Sequence, residues 1–437
     1  MTGKHTARAL GFWMCLALVM GNMIGSGVYL LPASLAPYGW NAIFGWSFTI
    51  GGALCLAYVF ATLARALPDA GGPFGFVATA FGPLPAFLVS WSYWISVWVA
   101  NAAISIAAVS YLSVFAPGIA SVPGLPAILA VALVWLVTVI NLRGARSAGG
   151  FQIVTMMLKL IPLAAVIVIA MLLIGGVGEA EVAPYRPSVI SPSAITATAA
   201  LTLWAMLGFE SAAVPQGKVD RPERTIPRAT IAGTLLVGLI YILVTSAITL
   251  LLPAAQVAQS NAPFADFIAR YWGSTPALFI ALFAAISAIG ALNGWVLMQG
   301  EIPLTMARAG AFPRWFAVTD ARDTPVRALV LSSVLVTLLI LANYTRSMAD
   351  LFTFMALLAT SASLVLYFAC AAAALWLTRK GLIPRSAPFL LIATLGLIFA
   401  IWTFYGAGIG ASGWILLLLA LGVPLHFVSR RREAVVS

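Results

Sequence analysis

The sequence predicts an all-α membrane protein with twelve transmembrane helices. Hydrophobic residues make up 62% of the 437 residues and charged residues only 8%, with a mean hydropathy of +1.05. Soluble domains carry about 25% charged residues. A membrane helix needs about 20 apolar residues. The apolar runs predict spans at approximately 9–33, 39–66, 84–115, 124–142, 151–176, 194–216, 228–252, 276–306, 327–345, 350–378, 387–407 and 410–429.

The basic residues predict the orientation of the chain. With the N-terminus placed inside, the inner loops and tails carry nineteen lysines and arginines, and the outer loops carry only Arg186, Arg270 and Arg346. This excess follows the positive-inside rule. We therefore expect a multi-pass protein of the cell inner membrane with both termini cytoplasmic. The net charge of +11 is then a topology signal, with the lipid bilayer rather than nucleic acid as partner.

The first span is predicted to break near its middle, where residues 21–27 read Gly-Asn-Met-Ile-Gly-Ser-Gly. Each unpaired N–H or C=O in hydrocarbon costs several kcal/mol, so a broken helix persists where it lines a polar cavity or binds a solute. Backbone N–H groups at a half-helix N-terminus suit a carboxylate. The candidate binding residues are Asn22, Gly25, Ser26 and Gly27. Close helix packing through small residues is the alternative.

The sixth span has a matching interruption at residues 208–211. In each span a proline follows seven residues after a glycine, Pro32 after Gly25 and Pro215 after Gly208. Breaks in spans 1 and 6 are what two inverted five-helix repeats produce. We expect one transporter domain over 1–437, with repeat one at about 9–176, repeat two at about 194–378, and helices 11 and 12 at about 387–429.

Two ionisable side chains, Glu210 and Lys159, lie deep in apolar runs. Such charges are expensive and point to function. Glu210 at the sixth-span break is a candidate for attracting a cation or exchanging a proton, or else it pairs with freed N–H groups nearby. Lys159 in span 5 is a candidate for tying that span to the carbonyls freed in span 1. Snorkelling to the inner surface is the alternative for Lys159.

Aromatic and amide residues supply further candidates. Trp204 precedes the sixth-span break, and Trp295 follows a glycine in span 8. An indole face can hold a cationic or alkyl side chain, although most aromatic residues in such a chain serve packing or interfacial anchoring. Asn101 is a rare polar residue in an apolar stretch, available to bond substrate or a neighbouring helix.

Residues for chemistry other than transport are missing from the sequence. His5 and His426 lie at the chain ends, and the sequence has no HExxH motif or P-loop. Cys15, Cys55 and Cys370 are scattered in apolar runs and predicted to be buried core residues. We expect no enzyme activity, no cofactor and no metal site. Metabolite sensing without flux stays open as a distant alternative.

Three stretches resemble motifs of the amino acid–polyamine–organocation superfamily. They are residues 21–28, residues 67–73 with 81–83, and residues 204–212 with 218–229. The similarity runs through essentially the whole chain. Within the superfamily, residues 30–33, Tyr93-Trp94 with Asn101, and Gly294-Trp295 resemble the basic amino acid/polyamine antiporters, which include arginine/agmatine and lysine/cadaverine exchangers.

This resemblance implies a LeuT-like five-plus-five inverted repeat, alternating access and frequently a homodimer. Ser26 and the backbone around it would hold the substrate α-carboxylate, and Ser96, Val97 and Asn101 would line the side-chain pocket. The other implied roles are an outer gate at Trp204, a substrate contact at Leu207, stacking at Trp295, closure of the outer path at Tyr93, and proton coupling at Glu210.

The chain departs from the arginine exchangers at three positions. They carry a small polar thiol where this chain has Val97, a tyrosine where it has Phe74, and no counterpart of Lys159. An added positive charge disfavours a dicationic substrate by Coulomb repulsion. The resemblance nevertheless implies exchange of a basic amino acid for its decarboxylated amine or another amino acid. Proton-coupled uptake of neutral or broad-specificity amino acids remains open beside it.

Overall fold

The computed structural model describes residues 11–25, 27–70, 72–143, 148–177, 181–209, 219, 221–308, 310 and 312–434. The elements built from these residues are helices. Their bounds are α1 Phe12–Met23, α2 Gly27–Leu35, α3 Trp40–Ala66, α4 Pro73–Phe81, α5 Pro83–Leu112, α6 Gly118–Ser121, α7 Leu125–Leu142, α8 Ala148–Ile174, α9 Pro192–Met206, α10 Pro222–Leu251, α11 Ala254–Ala258, α12 Pro263–Trp272, α13 Ser274–Arg308, α14 Val326–Leu341, α15 Met348–Arg379, α16 Ala387–Gly406 and α17 Gly408–Ala434.

The helices fit a protein that crosses the membrane many times. Within the described chain, eight of them are long and apolar enough to cross a bilayer, and the bent pair α1–α2 makes a ninth. Leu158–Ile174 and Val326–Leu341 are shorter apolar helices. Each predicted span overlaps a helix, and the first span overlaps two. The prediction of an all-α, multi-pass membrane protein is confirmed at this level.

The chain leaves helical geometry at the centre of the first predicted span. Helix α1 ends at Met23, and α2 begins at Gly27 at an angle of 46° to it. The Gly25 N–H bonds the Met23 carbonyl two residues back at 2.8 Å, and Ile24 has a ψ of 81°. The i→i−4 ladder therefore stops here, and carbonyls of the last turn of α1 need other partners.

Helix α9 ends just before the second predicted interruption. Leu207 is extended, with φ −59° and ψ 139°, and Gly208 has a φ of +109°, a region that disfavours any residue with a Cβ atom. The chain is described as far as Phe209; Glu210 and the rest of the predicted break lie outside the described residues.

Helix α5 is the centre of the molecule, and the last two helices are its periphery. In an apolar 18-residue stretch of α5, 94% of the residues are buried inside the protein. The corresponding fractions are 33% in α16 and 22% in α17. Helices α13 and α15 pack along α5. The functional side chains of α5 are therefore enclosed by protein, whereas α16 and α17 turn much of their apolar surface outward, toward lipid.

Helix α3 packs closely on α9 and α16 because small residues face both neighbours. The Thr49 hydroxyl lies 2.7 Å from the Thr202 hydroxyl and bonds the Ala199 carbonyl at 3.1 Å. A Cβ atom at Gly52 would lie 2.2–2.4 Å from ring atoms of Phe399. In the absence of a strong hydrophobic force between helices in lipid, such close contacts supply the association energy.

The close approach of Gly52 to Phe399 predicts the effect of one added methyl group on stability. Gly52→Ala should destabilise the protein by about 1–3 kcal/mol, because the Phe399 ring must move. Gly51→Ala is the matched control, since a Cβ atom there meets no atom within 4 Å. The measurement is the melting temperature of the purified protein in detergent. Equal melting temperatures for the two variants would contradict the packing described.

Candidate substrate-binding site

The break after α1 and the chain just after α9 lie in direct contact. A Cβ atom at Gly208 would lie 3.2 Å from both the carbonyl carbon and the carbonyl oxygen of Asn22. Close backbone approach and a positive φ therefore both require glycine at position 208. The contact brings polar backbone groups at the ends of α1 and α9 together in the interior.

Side chains from α8 and α10 pair the carbonyls freed at the first break. The Lys159 ammonium donates to the Gly21 carbonyl at 3.2 Å, and the Tyr241 hydroxyl donates to the Met23 carbonyl at 2.8 Å. Lys159 is 1% exposed, so it does not snorkel to the surface. A lysine in this position links α8 to the end of α1 by a charge-assisted hydrogen bond.

A chain of tyrosines fixes the second half of the broken helix. The Tyr29 hydroxyl donates to the Lys159 carbonyl at 2.8 Å, and the Tyr111 hydroxyl donates to the Tyr29 carbonyl at 2.7 Å. The Phe264 N–H donates to the Tyr111 hydroxyl at 3.4 Å. Helix α2 is thereby held between α8, α5 and α12. Sequence reasoning missed these tyrosines because their signal, a hydroxyl in an apolar run, is weak.

A small cavity of about 30 Å³ lies beside the break, with room for about two water molecules. Seven predicted site residues line it: Asn22, Gly25, Gly27, Ser96, Trp204, Leu207 and Trp295. Five further lining residues were not predicted: Met23, Ala100, Ile104, Ala205 and Ser363. Four of those five are apolar, so no residue type in the sequence distinguishes them from ordinary core.

The wall is mainly apolar and carries a few polar groups. The Trp204 indole N–H has no hydrogen-bond acceptor in the described part of the chain, and it lies 2.9 Å from where a Cβ atom of Gly27 would be. The Ser96 hydroxyl donates to the Tyr93 carbonyl at 2.7 Å, so its lone pairs remain available as acceptors. An unpaired buried donor such as the indole N–H is costly unless a ligand or water accepts from it.

Two other predicted site residues in α5 do not line the cavity. Val97 is fully buried in α5 and does not line the cavity. Asn101 donates to the Gln299 side-chain oxygen at 2.7 Å, so it bonds a neighbouring helix, the second of its two predicted roles. Ser26 and Glu210 lie outside the described residues.

Tyr93 lies in α5, and its ring lies 5.8 Å from the ring of Phe74 in helix α4. Its role in closing the outer path stays a prediction.

A broken helix beside a small, mainly apolar cavity, inside a multi-pass helical protein, is typical of the class of secondary transporters. The amino acid permease family profile matches residues 10–423. The chain therefore belongs to the amino acid permease family. Members of this family are transporters, so the chain is a transporter and not an enzyme.

Curated relatives cover nearly the whole chain. It is 34% identical over 413 residues to the cadaverine/lysine antiporter of Escherichia coli strain K12, covering 92% of this chain and 90% of the relative. It is 32% identical over 416 residues to the putrescine transporter PotE of Haemophilus influenzae, covering 94% and 95%. The E. coli K12 putrescine transporter PotE is 29% identical over 424 residues, covering 95% of each chain.

The approach of Gly27 to Trp204 predicts how one methyl group affects binding. Gly27→Ala should displace the indole and weaken amino acid binding about tenfold, the order expected for one lost aromatic contact. Gly25→Ala is the matched control in the same wall, because its Cβ atom would lie 3.7 Å from Ala291, an ordinary contact. Equilibrium binding of radiolabelled amino acid to purified protein gives the comparison, and a larger loss in Gly25→Ala would contradict this geometry.

Proposed function

We propose that the protein is a secondary active antiporter of the cell inner membrane. It exchanges a basic amino acid, such as lysine or arginine, for the decarboxylated amine or for another amino acid. The observation that carries this proposal is the cavity between the interrupted helices, lined by two indole rings, in a chain 34% identical to a cadaverine/lysine antiporter.

The two ends of such a substrate meet different surroundings in the cavity. Helix α2 begins at Gly27, and the partial positive charge at its N-terminus favours an anionic α-carboxylate. Trp204 and Trp295 offer aromatic faces to an alkyl chain with a terminal cation. A diamine made by decarboxylation retains the second contact and lacks the first. Once the cavity opens to admit a solute, the same wall can therefore contact either exchange partner, with the carboxylate distinguishing them.

Coupling is assigned to the two deep charges that the sequence singled out. Lys159 holds the end of α1 through the Gly21 carbonyl, so releasing that bond would let the half-helix move. Glu210 is proposed as the carboxylate whose protonation accompanies turnover. The wider proposal is a twelve-span, LeuT-like inverted repeat with both termini cytoplasmic and a homodimeric assembly.

One observation favours a second function, proton-coupled uptake of neutral amino acids. Among the described residues that line the cavity none is acidic, and a buried ammonium lies at the adjacent break. Both features are unfavourable for a dication. This second function shares the cavity and the lysine with the first, and differs in what drives uptake.

Exchange in proteoliposomes separates these functions. Purified protein is reconstituted, and uptake of labelled lysine is measured into vesicles that are empty or preloaded with lysine, cadaverine, arginine, agmatine, ornithine or putrescine. Acceleration by preloading supports exchange. Uptake of alanine or leucine into empty vesicles, driven by a pH gradient, supports the second function. Saturable binding without flux supports a sensor, and neither binding nor flux for any of these solutes contradicts the proposal.

Loss of the ammonium in span 5 should disable exchange. Lys159→Met leaves the Gly21 carbonyl without its side-chain donor, and we expect the exchange rate to fall about tenfold or more, as for a lost charged hydrogen bond. Lys380→Met is the control, since this exposed lysine lies at the end of α15 over the Trp376 ring. Wild-type kinetics and pH profile in a folded Lys159→Met protein would remove this residue from the mechanism.

A further inference from the structure

Another cavity lies between α3 and the start of α16, apart from the candidate substrate-binding site. Its volume is about 350 Å³, within the size range of small-ligand sites. One face of α3 contributes four lining residues at helical spacing: Tyr58, Thr62, Arg65 and Ala66. The other lining residues belong to the segment 382–389, which connects α15 to α16 and forms the first turn of α16. The basic residues of the chain predict that this end of α3 is cytoplasmic.

One end of this cavity is basic and offers hydrogen-bond donors. Arg65 lies in the last turn of α3, is exposed, and forms no ion pair with any described residue. The Ser386 hydroxyl accepts from the Phe389 N–H at 3.3 Å, so the hydroxyl proton is left to be donated elsewhere. Of the described residues that line this cavity, none is acidic. A guanidinium and a hydroxyl donor in one cavity match the oxygens of a phosphate group.

The other end of this cavity is apolar and continues into the membrane-spanning part of α16. Tyr58 lies seven residues before Arg65, about 10 Å away along α3, and its ring is 6.2 Å from the ring of Phe389. Beyond Phe389, three exposed apolar residues of α16 follow at helical spacing: Leu391, Leu395 and Ile398. They are between 47% and 61% exposed. A molecule bound at Arg65 therefore has apolar surface beside it along a helix that crosses the bilayer.

We propose that this cavity binds the head group of an anionic phospholipid, with Arg65 on the phosphate and the acyl chains along the outer surface of α16. A soluble phosphate compound would contact the basic end alone and leave the apolar end to water, whereas a phospholipid covers both ends. Basic pockets between membrane helices on the cytoplasmic side bind lipid head groups. The inference does not rest on the proposed function, because the lipid site is separate from the cavity at the helix break.

Native mass spectrometry of the purified full-length protein in detergent measures this binding. The lipid probe is dioleoyl phosphatidylglycerol. Two competitors divide its structure: dioleoylglycerol has the same acyl chains without the phosphate, and glycerol 3-phosphate has the phosphate without the chains. We expect saturable binding of phosphatidylglycerol that neither competitor displaces at equal concentration, because each competitor contacts only one end of the cavity.

Removal of the guanidinium should weaken the binding of phosphatidylglycerol. We expect Arg65→Gln to raise the dissociation constant about tenfold, as for one lost hydrogen bond to a charged group. Arg65→Lys keeps the charge and loses the planar fork, so we expect a smaller loss of about threefold. Arg385→Gln is the matched control, since Arg385 is exposed in the same segment and does not line the cavity. Its dissociation constant should stay within about twofold of wild type.

Four outcomes would overturn the lipid site. Equal losses in Arg65→Gln and Arg385→Gln would mean attraction to surface charge in general. Displacement by glycerol 3-phosphate would assign the cavity to a soluble phosphate compound, and displacement by dioleoylglycerol would mean that the phosphate is not recognised. A smaller share of dimer in Arg65→Gln, seen in the same spectra, would assign the cavity to a second copy of the chain. None of these measurements uses amino acid exchange, so the lipid site and the proposed function fail separately.

Discussion

Backbone carbonyls set free inside a membrane helix are the constraint on which this structure depends. Helix α1 stops at Met23, and in an apolar surrounding its last carbonyls must find donors. Lys159 and Tyr241 supply them from two different helices. The break is therefore stable only within the assembled bundle. Any movement that separates α1 from α8 leaves the Gly21 carbonyl without the Lys159 ammonium. The position of the half-helix therefore depends on that one ammonium.

The same constraint determines where the cavity forms. Because the chain just after α9 approaches the end of α1 at Gly208, polar backbone groups of both segments lie together in the interior. Residues of α5 line the other side of the cavity, and the outer surfaces of α16 and α17 are left to meet lipid. The freed backbone thus lies beside the cavity, where a polar solute or water can bond it.

Features encoded locally were predictable, and features made by packing were not. A glycine-rich break and a lysine in an apolar run are visible in the sequence, because each violates a rule that membrane helices otherwise obey. The pairing of Asn101 with Gln299 joins residues far apart in the chain, and nothing in either segment signals it. Likewise, the contact between the rings of Tyr93 and Phe74 depends on helix packing, and the sequence of neither segment indicates it.

Selection of a cation beside a buried ammonium is a problem that neutral groups can solve. None of the described residues that line the cavity is acidic. Indole faces attract a cationic end through partial charges and add no net charge to the wall. In the proposed function, the Lys159 ammonium stays available to bond the Gly21 carbonyl at the break. The residues that recognise the cation are then different from the residue that controls the helix.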